Sequence, residues 1–262
     1  MKEIDANKKA WGRLAEHQYE WFKKQLQERQ SLLSGTIENE LGDIAGKKII
    51  HLQCNTGADS ISLARKGAVV TGVDLAPENI FYAEKLAREL NVPDINFIES
   101  DIMELMQNHH EQYDIVFTSE GAIGWLPDLD KWGETVRHLL RKNGFFYISE
   151  IHPFFLMFDE AKMKNNETVI AYPYFGKVPE HEVTIGSYTS FPQRGDNYFW
   201  MYTVSDIINA LAKNGLTIEY FNEFDHLCYD LDGMEKVAEG NYHYPFFDKK
   251  MPFMFSLKAS LK

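Results

Sequence analysis

Cysteine is scarce in this chain: Cys54 and Cys228 are the two in 262 residues. Two isolated thiols give no disulfide framework, which excludes a disulfide-stapled scaffold and leads to the expectation of a reduced, cytoplasmic compartment. Basic residues are few as well, 27 Lys and Arg against 39 Asp and Glu, for a net charge of −12. Nucleic-acid binding needs a basic face, and no Lys/Arg cluster large enough to make one is present, so no nucleic-acid partner is expected. Long apolar runs are missing. No stretch approaches the roughly 18–20 apolar residues of a membrane span, and the first residues, Met1-Lys-Glu-Ile-Asp-Ala-Asn-Lys-Lys, lack the apolar core of a signal peptide. No membrane partner is expected. His109-His110 sits in a polar loop without ligand spacing, and no metal site is read anywhere.

What is there is material for a core. Apolar residues make up 44% and aromatics 14%, in a length suited to an α/β fold with insertions. Trp11, Ala15, Tyr19, Phe22 and Leu26 place one apolar stripe on a helix over 8–30. From residue 48 strands and helices alternate: strands at 48–53, 69–73, 95–98, 114–118 and 145–149, with helices at 57–66, 77–90 and 130–142 between them. Pro77 suits a first helical turn, and Asp130 is the expected N-cap of the third helix. This βαβ rhythm predicts a parallel, doubly wound sheet. After Pro153 it stops. Residues 154–200 carry β-rich pieces, at 168–174 and 183–190, with Pro and Gly turns, and predict an inserted antiparallel lid. Thr203-x-x-Asp206 is a capping-box signature that opens another helix. Two last strands are expected at 217–221 and 253–257. The organisation is therefore a helical cover at 1–46, a core at 47–153 and 201–262, and an inserted lid at 154–200.

The stretch Lys48-Ile-Ile-His-Leu-Gln-Cys-Asn-Thr-Gly57, followed by Val69-Val-Thr-Gly-Val-Asp74, carries the functional signal. A strand, a glycine turn, a helix and a second strand ending in an acid suit a nucleoside-bearing cofactor. The tight turn brings backbone N–H groups to the ligand, and the acid accepts hydrogen bonds from ribose hydroxyls. The Gly-x-Gly-x-x-Gly pattern of dinucleotide sites is absent, which argues against NAD. The stretch resembles motif I of the class I S-adenosylmethionine (SAM)-dependent methyltransferases, acid-x-Gly-x-Gly-x-Gly. Its four positions here are His51, Gln53, Asn55 and Gly57, so the last glycine alone is kept. A branch of bacterial methyltransferases has a His-Leu-Gln-Cys version, and this sequence is close to it. The ordered motifs span roughly residues 48–153, with an echo at 251–258.

The resemblance implies a seven-stranded, mostly parallel Rossmann-like sheet, its last strand antiparallel, with the antiparallel lid inserted. It also implies SAM as cofactor and assigns roles residue by residue. Gly57 lets the backbone approach the SAM carboxypropyl group, or is an ordinary turn glycine. Gln53 and Asn55 contact the methionine part of SAM or line the turn. His51 bonds the loop or is structural, and Cys54 is a small packed residue rather than a nucleophile. Asp59 contacts the amino-acid end of SAM or faces the helix dipole. Asp74 grips the ribose, with Leu75 beside it, or caps a helix. Asp101 bonds the adenine amino group, with Ile102 packed on the base, or is likewise a helix cap. Ser119 and Glu120, in Thr118-Ser-Glu-Gly-Ala122, are candidates for cofactor and methyl-group contact. Trp125 is a pocket wall or core.

Glu150-Ile-His152-Pro153 ends the fifth strand, at the edge where open α/β sheets hold ligands. His152 is a candidate general base, although a lone His after a strand is more often structural; Glu120 is a second catalytic candidate. Trp11, Tyr19, Tyr172 and Trp200 are candidates for acceptor contact. Tyr174, Phe175, Tyr188, Phe191, Tyr198 and Phe199 are aromatics of the lid that either wall a pocket or fill the lid's own core. The expected activity is methyl transfer from SAM to an O, N or S atom of a small molecule. The alternatives are a SAM-binding regulatory module that transfers nothing, and a nucleotide-dependent oxidoreductase.

Overall fold

A computed structural model describes every residue except Met1, Lys177, Tyr188 and Glu239. Helix α1 spans Lys2–Glu28 and α2 Gly35–Leu41. The alternating core follows: β1 Lys48–Leu52, α3 Ala58–Arg65, β2 Val69–Asp74, α4 Pro77–Glu89 and β3 Asn96–Glu99. Then come α5 Leu105–Asn108, β4 Tyr113–Ser119, α6 Leu129–Leu139 and β5 Leu140–Ile151. A short helix α7 (Glu160–Met163) precedes the hairpin β6 Glu180–Ser187 and β7 Ser190–Phe199. The chain ends with α8 Val204–Lys213, β8 Thr217–Phe224, the small pair β9 Glu235–Ala238 and β10 Asn241–His243, and β11 Met254–Ser260.

Seven strands form one sheet in the order β3-β2-β1-β4-β5-β11-β8. The pairs from β3 to β5 are parallel, and β11 runs antiparallel to both β5 and β8. The doubly wound, seven-stranded expectation holds, with the reversed last strand as expected. Side-chain alternation explains why the sheet carries helices on both faces. Ile50, Val116 and Phe146 point to α6 and α8, meeting Trp132, Val136, Ile207 and Leu211. Their neighbours Ile49, Ile115 and Tyr147 point the other way, to Ile61 of α3, Leu86 of α4 and Leu26 of α1. Strand neighbours face opposite sides, so a strand buried on both faces reads as a continuous apolar run; β4 is buried along all seven residues.

Three local expectations are corrected. The N-cap of α6 is Asp128, whose carboxylate accepts from Lys131 N at 3.0 Å, because the helix begins one residue before Asp130. The piece at 168–174 is no strand; it makes one isolated bridge, Phe158 to Ile170. The lid's sheet is a single hairpin, beginning at Glu180 and extending through Phe199. The capping box at Thr203 and Asp206 is present as expected. The irregular segments on either side of the hairpin pack together: Phe155 and Met163 bury against Leu227, Tyr244, Phe247 and Phe253 in a cluster separate from the two sheet faces.

Helix α1 and the hairpin are fastened to each other. Asn7 Nδ2 donates to Tyr198 O at 2.8 Å and Asn7 Oδ1 accepts from Tyr198 N at 2.7 Å, so one buried amide completes the backbone bonding of an edge residue. Arg13 adds a bond to Arg194 O. Together they lie over the carboxyl edge of β1 to β4. Among the described residues no helix is long and apolar enough to cross a membrane.

Candidate active site

The cleft lies where β1, β2 and β4 end. Its floor is the turn 53–57, and its backbone explains the departure from the glycine pattern. Gln53 (φ 57°) and Asn55 (φ 51°) both adopt the left-handed conformation that glycine takes most readily. Asn tolerates this region; Gln adopts it against a cost of roughly 1 kcal/mol or more. Each side chain then serves the loop. Gln53 Nε2 donates to Ala122 O at 2.8 Å, tying the turn to the segment after β4, and Asn55 Oδ1 accepts from Thr56 N at 2.6 Å. Gly57 (φ 80°) does not line the cleft. A Cβ there would come within 2.9 Å of the Phe97 ring and 3.0 Å of Ala83, so the glycine is required by the turn and by α4 packing beneath it. Its neighbours Asn55 and Ala58 do line the cleft.

Asp74, at the end of β2, is 8% exposed and faces the same cleft. Its Oδ2 accepts from Asn55 N at 2.8 Å; its Oδ1 accepts from Ala76 N at 2.9 Å and Asn79 Nδ2 at 3.0 Å. The carboxylate therefore locks the two turns that frame the cleft. The Leu75 backbone N–H is a fourth donor to this carboxylate, which borders the cavity. Burial raises the Asp74 pKa, against the pull of these donors. Leu75, Asp101 and Ile102 continue the wall, with Asp101 Oδ1 accepting from Met103 N at 2.9 Å.

His51 occupies the motif position where an acid is usual, and the structure supplies an acid by another route. His51 Nδ1 lies 2.9 Å from Ser60 Oγ, its Nε2 lies 3.2 Å from Ser119 Oγ, and Ser119 Oγ donates to Asp59 Oδ2 at 2.7 Å. With the Ser119 proton committed to Asp59, Ser119 Oγ accepts from His51 Nε2–H, and Ser60 donates to Nδ1. Burial pushes the His51 pKa down to about 3, so the ring is neutral in this relay. It fixes Ser119 and aims the Asp59 carboxyl at the cleft. Burial raises the Asp59 pKa, partly offset by Ser119.

Glu120 stands beside Asp59. Its carboxyl pKa is pushed up to about 8, first by burial and then by the Asp59 charge, while the Cys228 thiol donates to it and pulls the other way. Burial and these acids hold the Cys228 thiol well above its ordinary pKa, and Cys54 likewise, so neither is a thiolate nucleophile. Glu150 is a residue whose role the sequence concealed. Its carboxylate accepts from Gly121 N at 2.5 Å, Ala122 N at 2.7 Å, Ile123 N at 3.1 Å and its own Ile151 N at 2.7 Å. It moulds the loop that presents Glu120. The visible signal was an acid at the carboxyl end of a central strand.

Of the residues singled out in the sequence, Trp11, Gln53, Asn55, Asp59, Asp74 and Leu75 line this one cleft, as do Asp101, Ile102, Ser119 and Glu120. Trp200 lines a second cavity that adjoins it and shares Trp11, Glu120, Gly121 and Trp125. Trp125 is thus a pocket wall, packed edge-on against Trp11 and Phe199, its indole N–H held by Gly121 O. Three candidates are not brought there. His152 is 4% exposed between Phe221 and Phe255; its Nδ1 accepts from Phe154 N at 3.0 Å, leaving Nε2 to face Glu223 at 3.1 Å. It turns to the β8 side of the sheet and lines neither cavity. Tyr19 is buried on α4, its hydroxyl donating to Glu89 at 2.5 Å, while Gln18 and Phe22 of the adjacent helix face line the cleft instead. Tyr172 bonds Glu182 at 3.2 Å on the lid's outside. Of the lid aromatics, Phe175 and Phe191 are exposed and Tyr188 lies outside the described residues.

A doubly wound sheet with its cleft at the carboxyl ends of the strands, an acid closing the second strand and a Gly-poor turn after the first, defines a nucleoside-cofactor class. The chain belongs to the methyltransferase domain family, whose model matches residues 44–225. Over 116 residues it is 29% identical to the ubiquinone biosynthesis O-methyltransferase of Acinetobacter baumannii (strain AYE), a match covering 44% of this chain and 48% of that protein. The chain thus spans about half the length of the curated relatives it matches. In structure it is similar to a candidate S-adenosylmethionine-dependent methyltransferase from Listeria monocytogenes, with a TM-score of 0.61, 21% identity, and 87% and 96% of the two chains covered. It is also similar to such a methyltransferase from Clostridium acetobutylicum, with a TM-score of 0.57, 16% identity, and 93% and 92% covered. At these identities the structural likeness speaks for the fold.

Proposed function

We propose that this protein is a SAM-dependent methyltransferase acting on a small molecule, of the branch whose motif I reads His-Leu-Gln-Cys. The observation that carries the proposal is a pair of buried amide oxygens in the cleft. Gln53 and Asn79 each spend their NH2 group on a fixed acceptor, Ala122 O and Asp74, so their oxygens are the free ends. Neither oxygen has a hydrogen-bond partner among the described residues. A buried acceptor without a donor is costly, and a ligand carrying an ammonium and ribose hydroxyls supplies donors. The charge fits as well. Asp59, Asp74 and Glu120 line the cleft, and the one lysine that lines it among the described residues, Lys8, is paired with Glu99 at 2.8 Å.

In this reading Asp74 Oδ2 and Asn79 Oδ1 hold the ribose, Asp101 and Ile102 the adenine, and Gln53 and Asp59 the amino-acid end. Gln53, Asn55, Leu75 and Ser119 shape the contact. When bound, SAM supplies a methyl carbon on a sulfonium; the acceptor's lone pair bonds that carbon as the C–S pair leaves on sulfur. The protein's own part is alignment and exclusion of water, for which Trp11 and Trp125 stand between the two cavities. Helix α1 and the hairpin would act as the cover over both.

Calorimetry with S-adenosylhomocysteine and with NADH tests this. We expect S-adenosylhomocysteine to bind more tightly by orders of magnitude. Thermal protection by NADH and none by SAM would overturn the assignment, and SAM binding without turnover across an acceptor library would leave a regulatory module.

A further inference from the structure

The second cavity is the larger, about 480 Å³, within the range of small-molecule sites. It lies between the loop after β4, the hairpin and the segment after β8. Its walls are aromatic, from Trp11, Trp125, Phe199, Trp200, Tyr202 and Tyr229. Its polar groups are of one sign. Glu120, Glu150 and Glu160 line it, and no Lys, Arg or His does so among the described residues. Glu150 is spent on four backbone N–H groups. Glu120 is not: the Cys228 thiol is the one side-chain donor that bonds it among the described residues, and it stands where this cavity opens into the cleft.

Resting on the SAM reading, we infer that this cavity takes an amine acceptor with an apolar or aromatic body, and that Glu120 accepts the proton that frees the amine's lone pair. Aromatic faces and carboxylates favour an ammonium and oppose a carboxylate or phosphate. The charge flow of the reaction points the same way. Methylating a neutral amine moves one positive charge from the donor's sulfur to the acceptor's nitrogen, so surrounding carboxylates remain useful throughout. A phenolate or thiolate acceptor would bring a negative charge into an acid-lined cavity and end neutral.

The proton step balances simply. The acceptor enters as R–NH3⁺; one N–H bond breaks, an O–H bond forms on Glu120, and R–NH2 keeps the electron pair. Burial raises the Glu120 carboxyl to about 8 and lowers the pKa of an entering ammonium; both shifts narrow the gap between the two groups, which favours proton transfer. At pH 7 the empty site holds a protonated Glu120 and the solution an ammonium. The complex shares one proton between them, so binding releases one.

Titration calorimetry with three probes of equal shape tests the inference: tryptamine, tryptophol and indole-3-propionate, each with S-adenosylhomocysteine present. Runs in two buffers of different ionisation enthalpy count the protons. We expect tryptamine to bind at least tenfold tighter than tryptophol, and indole-3-propionate weakest. Proton release should be near one at pH 7 and fall toward zero by pH 9. Glu120→Gln should abolish the release and lose at least tenfold in tryptamine affinity while tryptophol is unaffected. Equal affinity for the three probes, or release that persists in Glu120→Gln, would overturn it. Binding of S-adenosylhomocysteine to the wild type separates the two readings: its failure sinks the cofactor assignment, whereas its success without amine preference sinks this inference alone.

Discussion

Replacing Asp74 should damage the empty protein before any ligand is added, and by an amount the hydrogen bonds set. Asp74→Ala leaves four donors, Asn55 N, Ala76 N, Asn79 Nδ2 and Leu75 N, without their acceptor. A buried orphan costs about 1–3 kcal/mol. Two terms soften the sum. The residue borders a cleft, so water reaches some donors. Burial also raises the Asp74 pKa, so removing a poorly solvated charge returns part of the loss. We expect about 2–3 kcal/mol for Asp74→Ala. Asp74→Asn keeps one accepting oxygen for Ala76 and Asn79 but turns an NH2 toward Asn55 N–H, and should cost about 1–2 kcal/mol. In the proposed ribose role this carboxylate also accepts from a ribose hydroxyl of the ligand. Its loss removes a charge-assisted hydrogen bond of about 1.5–3 kcal/mol, a rise of about 10–100-fold in the Kd of S-adenosylhomocysteine. Urea unfolding without ligand, at unchanged m-value, reads the first effect and calorimetry the second. Wild-type stability in Asp74→Ala would refute the turn-locking role. Unchanged affinity in folded Asp74→Asn would refute the ribose role.

Acid and alkaline limbs of the stability curve should have separate owners. Glu120 rises from 4.5 to about 8, so between those pH values the native state keeps a proton the unfolded chain has lost. Stability then falls as pH rises, by at most about 1.4 kcal/mol per unit for one group, and Glu120→Gln should flatten that limb in pH-series denaturation. His51 falls from 6.5 to about 3, so there the unfolded chain holds the extra proton and stability falls as pH drops through that window; a limb unchanged in His51→Asn would refute the neutral relay. His152→Ala should lose about 2–3 kcal/mol of stability, from cavity and lost bonding, with S-adenosylhomocysteine affinity within twofold of wild type; a selective loss of turnover would restore the catalytic role. Asn7→Ala should free the hairpin, seen as faster amide exchange in both α1 and 180–199 with the β1–β5 sheet unchanged, and exchange in both segments should slow in wild type when S-adenosylhomocysteine binds.

Most of the sheet was readable because its signal is local. Val69–Asp74 and Tyr113–Ser119 are short apolar runs, and Pro77, Thr203 and Asp206 mark helix starts through their own chemistry. The lid was misread where no local rule operates. Residues 168–174 are mostly β-branched or aromatic, yet their pairing with 157–159 closes a single bridge, Ile170 to Phe158, and Pro173 has no N–H to extend it. The cleft-lining positions of Asp74 and Asp101 are legible because they lie at or just after strand ends. His152 closes a strand too, but which way a side chain turns at a sheet's edge depends on non-local neighbours, here Glu223, Phe221 and Phe255. Tyr19 failed for a similar reason. The helical stripe is wide enough to meet both α4 and the cleft, and periodicity cannot say which part meets which.

The glycine positions of motif I carry the remaining lesson. Glycine at such a turn can serve two needs, a left-handed backbone and room for a ligand. Here Gln53 and Asn55 keep the left-handed backbone without being glycine, so conformation alone did not require the glycines. What the larger side chains add is cross-linking: Gln53 reaches Ala122 across the mouth of the cleft, and Glu150 fixes that same loop from behind by bonding Gly121, Ala122 and Ile123. The loop so clamped is the one that presents Glu120 and Trp125 to both cavities. The backbone strain at Gln53 is thus offset by a tie between the turn after β1 and the loop after β4, a tie that a glycine at that position would lack. At this departure from the family's glycines the chain ties the turn that floors one cavity to a loop that lines both.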